Sequence, residues 1–207
     1  MSSSSSAAQS RQPAQSYEPA QAPQPTSQHS PLAPVQSLDE LAGLSPAEFK
    51  LAFRNHPAGV AVITADAGDG PVGLTATSVF SVSAEPPLLV FSISGQSSSA
   101  PTLNRADTVV VHLLGADQLD VAKLFATSGV DRFADASIWS RLVTGEPYLP
   151  GAPVWIRGRI INRMEAGGST VIAVHALQAH ISSTEEPPLV YHNRTWHHVG
   201  DHSRLEG

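Results

Sequence analysis

Hydroxyl side chains are concentrated in one short segment, residues 73–93, whose sequence is GLTATSVFSVSAEPPLLVFSI. The segment begins in a strand-like pattern, turns at Glu85-Pro86-Pro87, and continues as an apolar β-type run that ends beside Ser94. The hydroxyl groups on the two predicted strands belong to Thr75, Thr77, Ser78, Ser92 and Ser94. Together with free backbone amides, they form a surface that suits a flat, anionic ligand with polar edges.

Short strands must position this segment. Alternating and apolar runs predict strands over residues 59–65, 72–79, 87–94, 108–114, 154–163, 170–180, 189–191 and 195–199. Ser45 and Glu48 form a capping box for a helix that ends near Asn55, and Asp117 is expected to cap a second helix that runs to Ala126. This pattern predicts a mainly β fold with short helices, built as a small antiparallel barrel.

Composition excludes several classes of protein. Twelve Lys and Arg residues against eighteen Asp and Glu residues give a formal net charge of -6, which argues against a nucleic-acid partner. The absence of cysteine excludes disulfides, a thiolate nucleophile and thiolate-held metal clusters. The longest apolar runs are far shorter than the ~20 residues that span a bilayer, and no signal peptide pattern is present. The sequence therefore predicts no membrane partner and a cytoplasmic location.

The chain changes in composition near Ser37. Residues 1–36 are dominated by Ser, Gln, Ala and Pro, and only Arg11 and Glu18 are charged, so this arm is expected to be disordered. A docking role for the arm would need a PxxP core flanked by basic residues, which it lacks. Residues 37–200 are expected to form one domain, and residues 201–207 a short C-terminal tail.

A GxGxxG pattern at residues 68–73 matches the dinucleotide-binding fingerprint in its letters only. The fingerprint needs a strand before it and a helix directly after it, whereas Pro71 and Val72 continue as extended chain. The pattern is therefore expected to be a hairpin loop. Any nicotinamide cofactor must then bind without a Rossmann domain.

The nine histidines do not form a recognisable metal motif. His192, His197 and His198 are close in sequence, but no HExxH pattern accompanies them, and adjacent residues on a strand point to opposite faces. A GxSxG nucleophile motif is also absent from the sequence. We therefore expect neither a metal site nor a Ser-His-Asp hydrolase.

The segment at residues 73–93 resembles the flavin-holding part of the flavin reductase family, in which a Gly-apolar-Thr-Ala-x-Ser strand, a Ser-Val-Ser turn and a Pro-Pro-Leu strand follow one another. Further pieces of the chain follow in the family's order, so that the resemblance covers residues 45–200. These pieces are residues 53–64, 109–114, 118–125, Phe133, 145–149 and 188–196. The resemblance implies an antiparallel FMN-binding split β-barrel.

The resemblance also implies where cofactors bind. By family position, the flavin is expected to contact Gly73, Leu74, Thr75, Thr77, Ser78, Ser92, Ser94, Ser98, Ser99 and Phe125. The nicotinamide is expected on the side of Ser169, Tyr191, His192 and Arg194. No catalytic acid or base is expected, because hydride would pass directly from NADH or NADPH to FMN or FAD.

Two positions depart from the family pattern. Where many members have a histidine that approaches the nicotinamide, in Gly-Asp-His or Gly-Thr-His, this chain has Ser169. Where members often have a basic residue immediately before the Phe125 position, this chain has Leu124. Arg194 is the candidate for the missing cation.

The implied function is NAD(P)H-dependent reduction of FMN or FAD by a homodimer that supplies reduced flavin to a partner monooxygenase. A non-catalytic flavin-binding protein and a related FMN-dependent oxidase of a small molecule are the alternatives. FMN and FAD, and likewise NADH and NADPH, stay open as choices at this stage.

Overall fold

The structure is a computed structural model that describes residues 43–182 and 185–206; the arm expected at residues 1–36 lies outside them. The helices are α1 (Pro46–Phe53), α2 (Ala100–Leu103) and α3 (Leu119–Ala126), with 3₁₀ turns at Ala116–Gln118 and Asp201–Ser203. The strands are β1 (Ala58–Gly59), β2 (Ala61–Asp66), β3 (Pro71–Ala76), β4 (Phe80–Ala84), β5 (Pro87–Ser94), β6 (Thr108–Leu113), β7 (Ser140–Arg141), β8 (Pro147–Tyr148), β9 (Val154–Ala166), β10 (Ser169–Ile181), β11 (Leu189–His192) and β12 (Thr195–His198).

Seven strands form the main sheet, in the order β3-β2-β6-β9-β10-β5-β4. Strands β1, β11 and β12 form a second sheet, β7 and β8 a third, and every pair of neighbouring strands is antiparallel. The expected mainly β, antiparallel fold is therefore confirmed. The main sheet does not close into a continuous ladder, because β3 at one edge is not paired with β5, and this matches a split barrel.

Strand β2 is covered on both faces, and it divides the core into two layers. Side chains alternate across a strand, so Ile63 and Ala65 face one layer and Val62 faces the other. The first layer is shared with buried residues of β5, β6 and β10, which include Phe91, Val111 and Ile172. The second layer holds α3 against the sheet through buried residues that include Ala122 and Phe125.

The structure changes two local expectations and confirms a third. The strand expected over residues 72–79 ends at Ala76, and a separate strand, β4, precedes the expected turn at Glu85. Asp117 does not cap the second helix: it lies within the 3₁₀ turn, and α3 begins at Leu119. The GxGxxG pattern is confirmed as the β2–β3 hairpin loop, where the Asp66 carboxylate accepts hydrogen bonds from two glycine amides.

His112 of β6 is fully buried and is hydrogen bonded at both ring nitrogens. Its Nδ1 lies 2.9 Å from the Val62 carbonyl oxygen, and its Nε2 lies 3.0 Å from the backbone nitrogen of Leu149. Because the Leu149 N–H can only donate, Nε2 accepts and Nδ1 carries the proton of a neutral ring. Burial lowers the pKa of His112 to about 4, against a smaller opposing effect of the hydrogen bond to Val62.

Within residues 43–182 and 185–206, no helix has both the length and the apolar character needed to cross a membrane.

We predict that acid destabilises the fold through His112. The folded-state pKa of about 4 lies below the ordinary histidine value of 6.5. The associated stability is therefore complete above pH 6.5 and is lost as the pH falls towards 4, by up to about 3 kcal/mol. Urea unfolding at pH 7, 5.5 and 4 measures this loss.

The variant His112→Gln cannot titrate at this position, and its free energy of unfolding should change less over the same pH range. The exposed His56→Gln serves as the matched control and should retain the wild-type profile. If His112→Gln and the wild type lose stability in parallel, His112 is not the responsible group.

Candidate functional site

A groove of about 660 Å³ opens where the free edge of β3 approaches β5. We term it the hydroxyl groove because most of its polar side chains are Ser or Thr. Its lining consists of Leu74, Thr75, Ala76, Thr77, Ser78, Ser92, Ile93, Ser94, Gln96, Ser97, Ser98, Phe125, Ala126, Ser128, Gly129 and Arg132. The residues expected to contact flavin all line it except Gly73 and Ser99, which lie beneath its surface.

Several of the hydroxyls are already engaged in bonds within the chain. Ser78 Oγ accepts a hydrogen bond from the Ser92 N–H at 3.0 Å and donates to the Ser92 carbonyl oxygen at 3.1 Å. Thr75 Oγ1 donates to the Ala122 carbonyl at 2.7 Å. Ser99 is buried, and its Oγ donates to the Gly73 carbonyl at 2.9 Å. These hydroxyls hold the walls of the groove in place.

Other hydroxyls of the groove are available to a ligand. Thr77 is exposed, and its hydroxyl bonds to nothing within the described part of the chain, as is also true of the Ser92 hydroxyl. Ser94 is exposed and accepts only a long hydrogen bond, of 3.3 Å, from the Gln96 N–H. Ser98 is exposed at the far end of the groove. These side chains come from both walls, so a ligand between them would be held from two sides.

Arg132 provides the groove with a cation that the sequence analysis missed. Its guanidinium donates to Ser98 Oγ at 3.3 Å and to the Thr127 carbonyl at 2.7 Å. The Nε atom is buried without an acceptor among the described residues, and such a donor is costly. The sequence feature that could have identified Arg132 is its position immediately before Phe133. The family pattern has a basic residue before the Phe125 position, and in this chain a basic residue precedes Phe133 instead. The rings of Phe125 and Phe133 pack edge to face, with centroids 5.4 Å apart.

Gly73 allows α3 to pack closely beneath the groove. A Cβ atom at this position would lie 2.5 Å from Cε1 of Phe125 and 3.2 Å from the Ile63 carbonyl oxygen. Phe125 is only 1% exposed, so its ring has little room to move. Phe125 therefore lines the hydroxyl groove with only a small part of its ring, and the rest of the ring is buried in the core.

A second groove, of about 850 Å³, lies between α1 and the β11–β12 turn, and we term it the α1 groove. It is lined by Phe49, Lys50, Phe53, Arg54, His56, Pro57, Ala58, Gly59, Thr77, Ser78, Val79, Phe80, Tyr191, Asn193 and Arg194. Thr77 and Ser78 line both grooves, so the two grooves are adjacent.

The four residues expected on the nicotinamide side do not converge. Tyr191 and Arg194 line the α1 groove, whereas His192 does not, and its ring lies 5.6 Å from that of His197. Ser169 lies elsewhere, directly opposite Ser94 in the pairing of β10 with β5. Arg194 is thus separated from the hydroxyl groove, where Arg132 is found.

The buried ionisable groups serve the fold. Burial alone would raise the pKa of Glu146, but hydrogen bonds from Arg157, Thr144 and Thr108 outweigh it and hold the pKa at about 2. This carboxylate joins the segment before β8 to β6 and β9. In the described ranges, no group of three or more His, Asp or Glu side chains is arranged to hold a metal ion.

Comparison with known proteins relates the chain to reductases that act on flavins. Residues 53–200 match the flavin reductase like domain family. An NADH:FMN oxidoreductase of Rhodococcus qingshengii is 44% identical over 153 residues, which are 72% of this chain and 80% of that protein. The reductase component of a 4-nitrophenol 4-monooxygenase/4-nitrocatechol 2-monooxygenase of Rhodococcus opacus is 28% identical over 159 residues, 77% of this chain and 84% of that protein.

The fold comparison agrees. The crystal structure of a flavin reductase domain protein from Arthrobacter sp. FB24 superposes with a TM-score of 0.72 at 32% sequence identity. The match covers 78% of this chain and 98% of the other.

We predict that Gly73→Ala destabilises the protein by about 1–3 kcal/mol, because the added methyl group overlaps the Phe125 ring. Gly168→Ala is the matched control, since its Cβ would meet nothing within 4 Å. Chemical denaturation measures both effects. In the double variant Gly73→Ala/Phe125→Leu, the two costs should not add, because the smaller side chain relieves the overlap; full additivity would show that the contact is unimportant.

Proposed function

Since the chain belongs to the flavin reductase family, we propose that it catalyses the reduction of FMN by NADH and that the hydroxyl groove holds the flavin. This placement rests on one observation: hydroxyl groups without partners in the described chain, from both walls, and one arginine line the same groove. A flavin mononucleotide needs both kinds of contact, because its ring and ribityl chain carry polar edges and its phosphate is anionic. NADH and FMN are the substrates of the 44% identical relative.

The groove suits this ligand in size and chemistry. Its volume of about 660 Å³ is within the usual range for small-molecule sites. Thr77, Ser92 and Ser94 have hydroxyls to donate to or accept from the polar edge of a flat ring. Ser78 and Thr75 act indirectly, since their bonds to Ser92 and Ala122 keep the walls at a fixed separation.

Arg132 is the proposed phosphate ligand, together with Ser98. The Arg132 guanidinium already donates to Ser98 Oγ, so an anionic oxygen beside that serine would meet a hydroxyl and a cation together. Charge-assisted hydrogen bonds of this kind are stronger than neutral ones. No acidic side chain lines the groove in the described residues, so nothing there opposes an anion.

The protein positions the reactants and leaves the chemistry to them. When both cofactors are bound, hydride passes from nicotinamide C4 to flavin N5. The chain then has to hold the ring by its edge, keep one face open and donate hydrogen bonds where negative charge develops. Thr77 and the backbone of Leu74 are proposed for the edge contacts, whereas the buried Gly73 supports them from beneath. Ser169, beside Ser94, is proposed to lie near the nicotinamide. Tyr191 and Arg194 are proposed further along the nucleotide, whereas His192 lines neither groove.

We also propose that reduced flavin is supplied to a separate monooxygenase in the cytoplasm. The related Rhodococcus opacus protein is the reductase component of such a system. A homodimer is proposed as the active form. It is supported by the edge strand β4, whose Phe80 and Val82 are more than half exposed, because an apolar free edge favours pairing with another chain.

An anaerobic assay tests the function directly. NADH and NADPH are each mixed with FMN and with FAD, and the absorbances of nucleotide and flavin are followed together. We expect one flavin to be reduced for each NADH oxidised, most efficiently with FMN. Tight flavin binding without nucleotide oxidation would contradict the proposal and favour a non-catalytic flavin-binding protein.

The phosphate assignment predicts a selective effect of Arg132→Gln. Loss of charged hydrogen bonds to phosphate should weaken FMN binding by about 10- to 100-fold, whereas binding of riboflavin, which has no phosphate, should not change. Fluorescence titration with both ligands measures this difference. Arg105→Gln removes an exposed arginine outside the groove and is the matched control. An equal loss for both ligands would place Arg132 in a purely structural role.

A further inference from the structure

The α1 groove gathers positive charge in a chain that is acidic as a whole. Lys50, Arg54 and Arg194 line it, and no Asp or Glu lies among its described lining residues. The chain has only twelve Lys and Arg residues and a net charge of -6. None of the three cations forms an ion pair within residues 43–182 and 185–206, so their charge is available to a ligand.

Aromatic rings accompany these cations. Phe49 and Phe53 of α1 are 55% and 57% exposed, and their ring centroids are 4.8 Å apart. Helix α1 has no buried residue, although its capping box stabilises it locally. Tyr191 lies on the opposite wall of the groove and is partly buried. Exposed aromatic faces next to unpaired cations are suited to a ligand that has both a flat base and phosphate groups.

The position of Arg194 is consistent with a role for its side chain. Asn193 and Arg194 form the two-residue turn between β11 and β12 with φ angles of 47° and 64°. Glycine is favoured at the second position of such a turn, because other side chains are disfavoured in the left-handed region. An arginine there carries a conformational penalty, and Arg194 lines the groove.

The α1 groove adjoins the hydroxyl groove, because Thr77 and Ser78 line both. A ligand whose reactive ring lies in or against the hydroxyl groove can therefore extend its other end towards α1. That end should combine a base and a diphosphate. Pyridine dinucleotides and FAD both have this end, and it is the same adenosine diphosphate group in each.

We propose that the α1 groove binds the adenosine diphosphate part of a dinucleotide. Lys50, Arg54 and Arg194 contact the phosphates, and the exposed rings of Phe49 and Phe53 pack against the adenine. That this groove serves hydride transfer rests on the proposed function, whereas the binding of adenosine diphosphate to it does not. The dinucleotide is NADH if the flavin is FMN, or FAD if the flavin itself extends into this groove.

Calorimetric titration with ADP tests the site without any turnover. The wild type should bind ADP, and Arg54→Gln, Arg194→Gln and Phe53→Leu should each weaken binding about 5- to 20-fold. Arg204→Gln changes an exposed arginine outside the groove by the same charge and should bind ADP like the wild type. Thermal melts establish that each variant is folded. Absence of ADP binding to the wild type, or equal weakening by Arg204→Gln, would overturn the proposal.

Paired substrates identify the source of the diphosphate. If it comes from the pyridine nucleotide, Arg54→Gln raises the KM for NADH but leaves that for reduced nicotinamide mononucleotide unchanged. If it comes from FAD, the same variant weakens FAD binding but not FMN binding. Equal effects on the mononucleotides would contradict the assignment. A wild type that binds ADP in this groove but oxidises NADH with neither flavin would refute the proposed function and leave the groove assignment intact.

Discussion

The hydrogen bonds between Ser78 and the backbone of Ser92 are the constraint on which the candidate site depends. Strand β3 lies at one edge of the sheet, β5 is the second strand from the other edge, and the two are not paired as strands. A hydroxyl therefore satisfies the backbone N–H and carbonyl that strand pairing would satisfy in a closed barrel. Ser99 reinforces the same gap through the Gly73 carbonyl. The hydroxyl groove opens at this gap between β3 and β5.

Much of the fold was predictable because it rests on local signals. Alternating residues marked most strands, the capping box marked α1, and the glycines after Asp66 marked a hairpin. The predicted end of β3 was wrong, because Ser78, which was predicted to lie on this strand, instead forms hydrogen bonds with Ser92 of β5. Asp117 failed as a cap for a related reason: a 3₁₀ turn intervenes before α3. Helix and strand ends that depend on contacts outside the segment itself cannot be predicted from the local residue pattern.

The same distinction explains the candidate site. The residue types of the groove could be predicted, since hydroxyls are frequent in residues 73–94 and the family pattern orders them. Which hydroxyls are engaged within the chain could not, because Thr75 and Thr77 differ only in what the fold places beside them. Arg132 was missed because its place at the groove follows from the packing of Phe133 against Phe125.

If the flavin binds in the hydroxyl groove as proposed, the adjacent α1 groove is the place where related ligands can be distinguished. Contacts from the hydroxyl groove to an isoalloxazine ring, a ribityl chain and a first phosphate would be made equally with FMN and FAD. A choice between these flavins must therefore come from the region beyond that phosphate. The same holds for NADH and a nicotinamide mononucleotide, whose rings are identical. Because helix α1 has no buried residue, substitutions at its exposed groove positions, such as Lys50 and Phe53, would leave the hydrogen bonds between Ser78 and Ser92 intact.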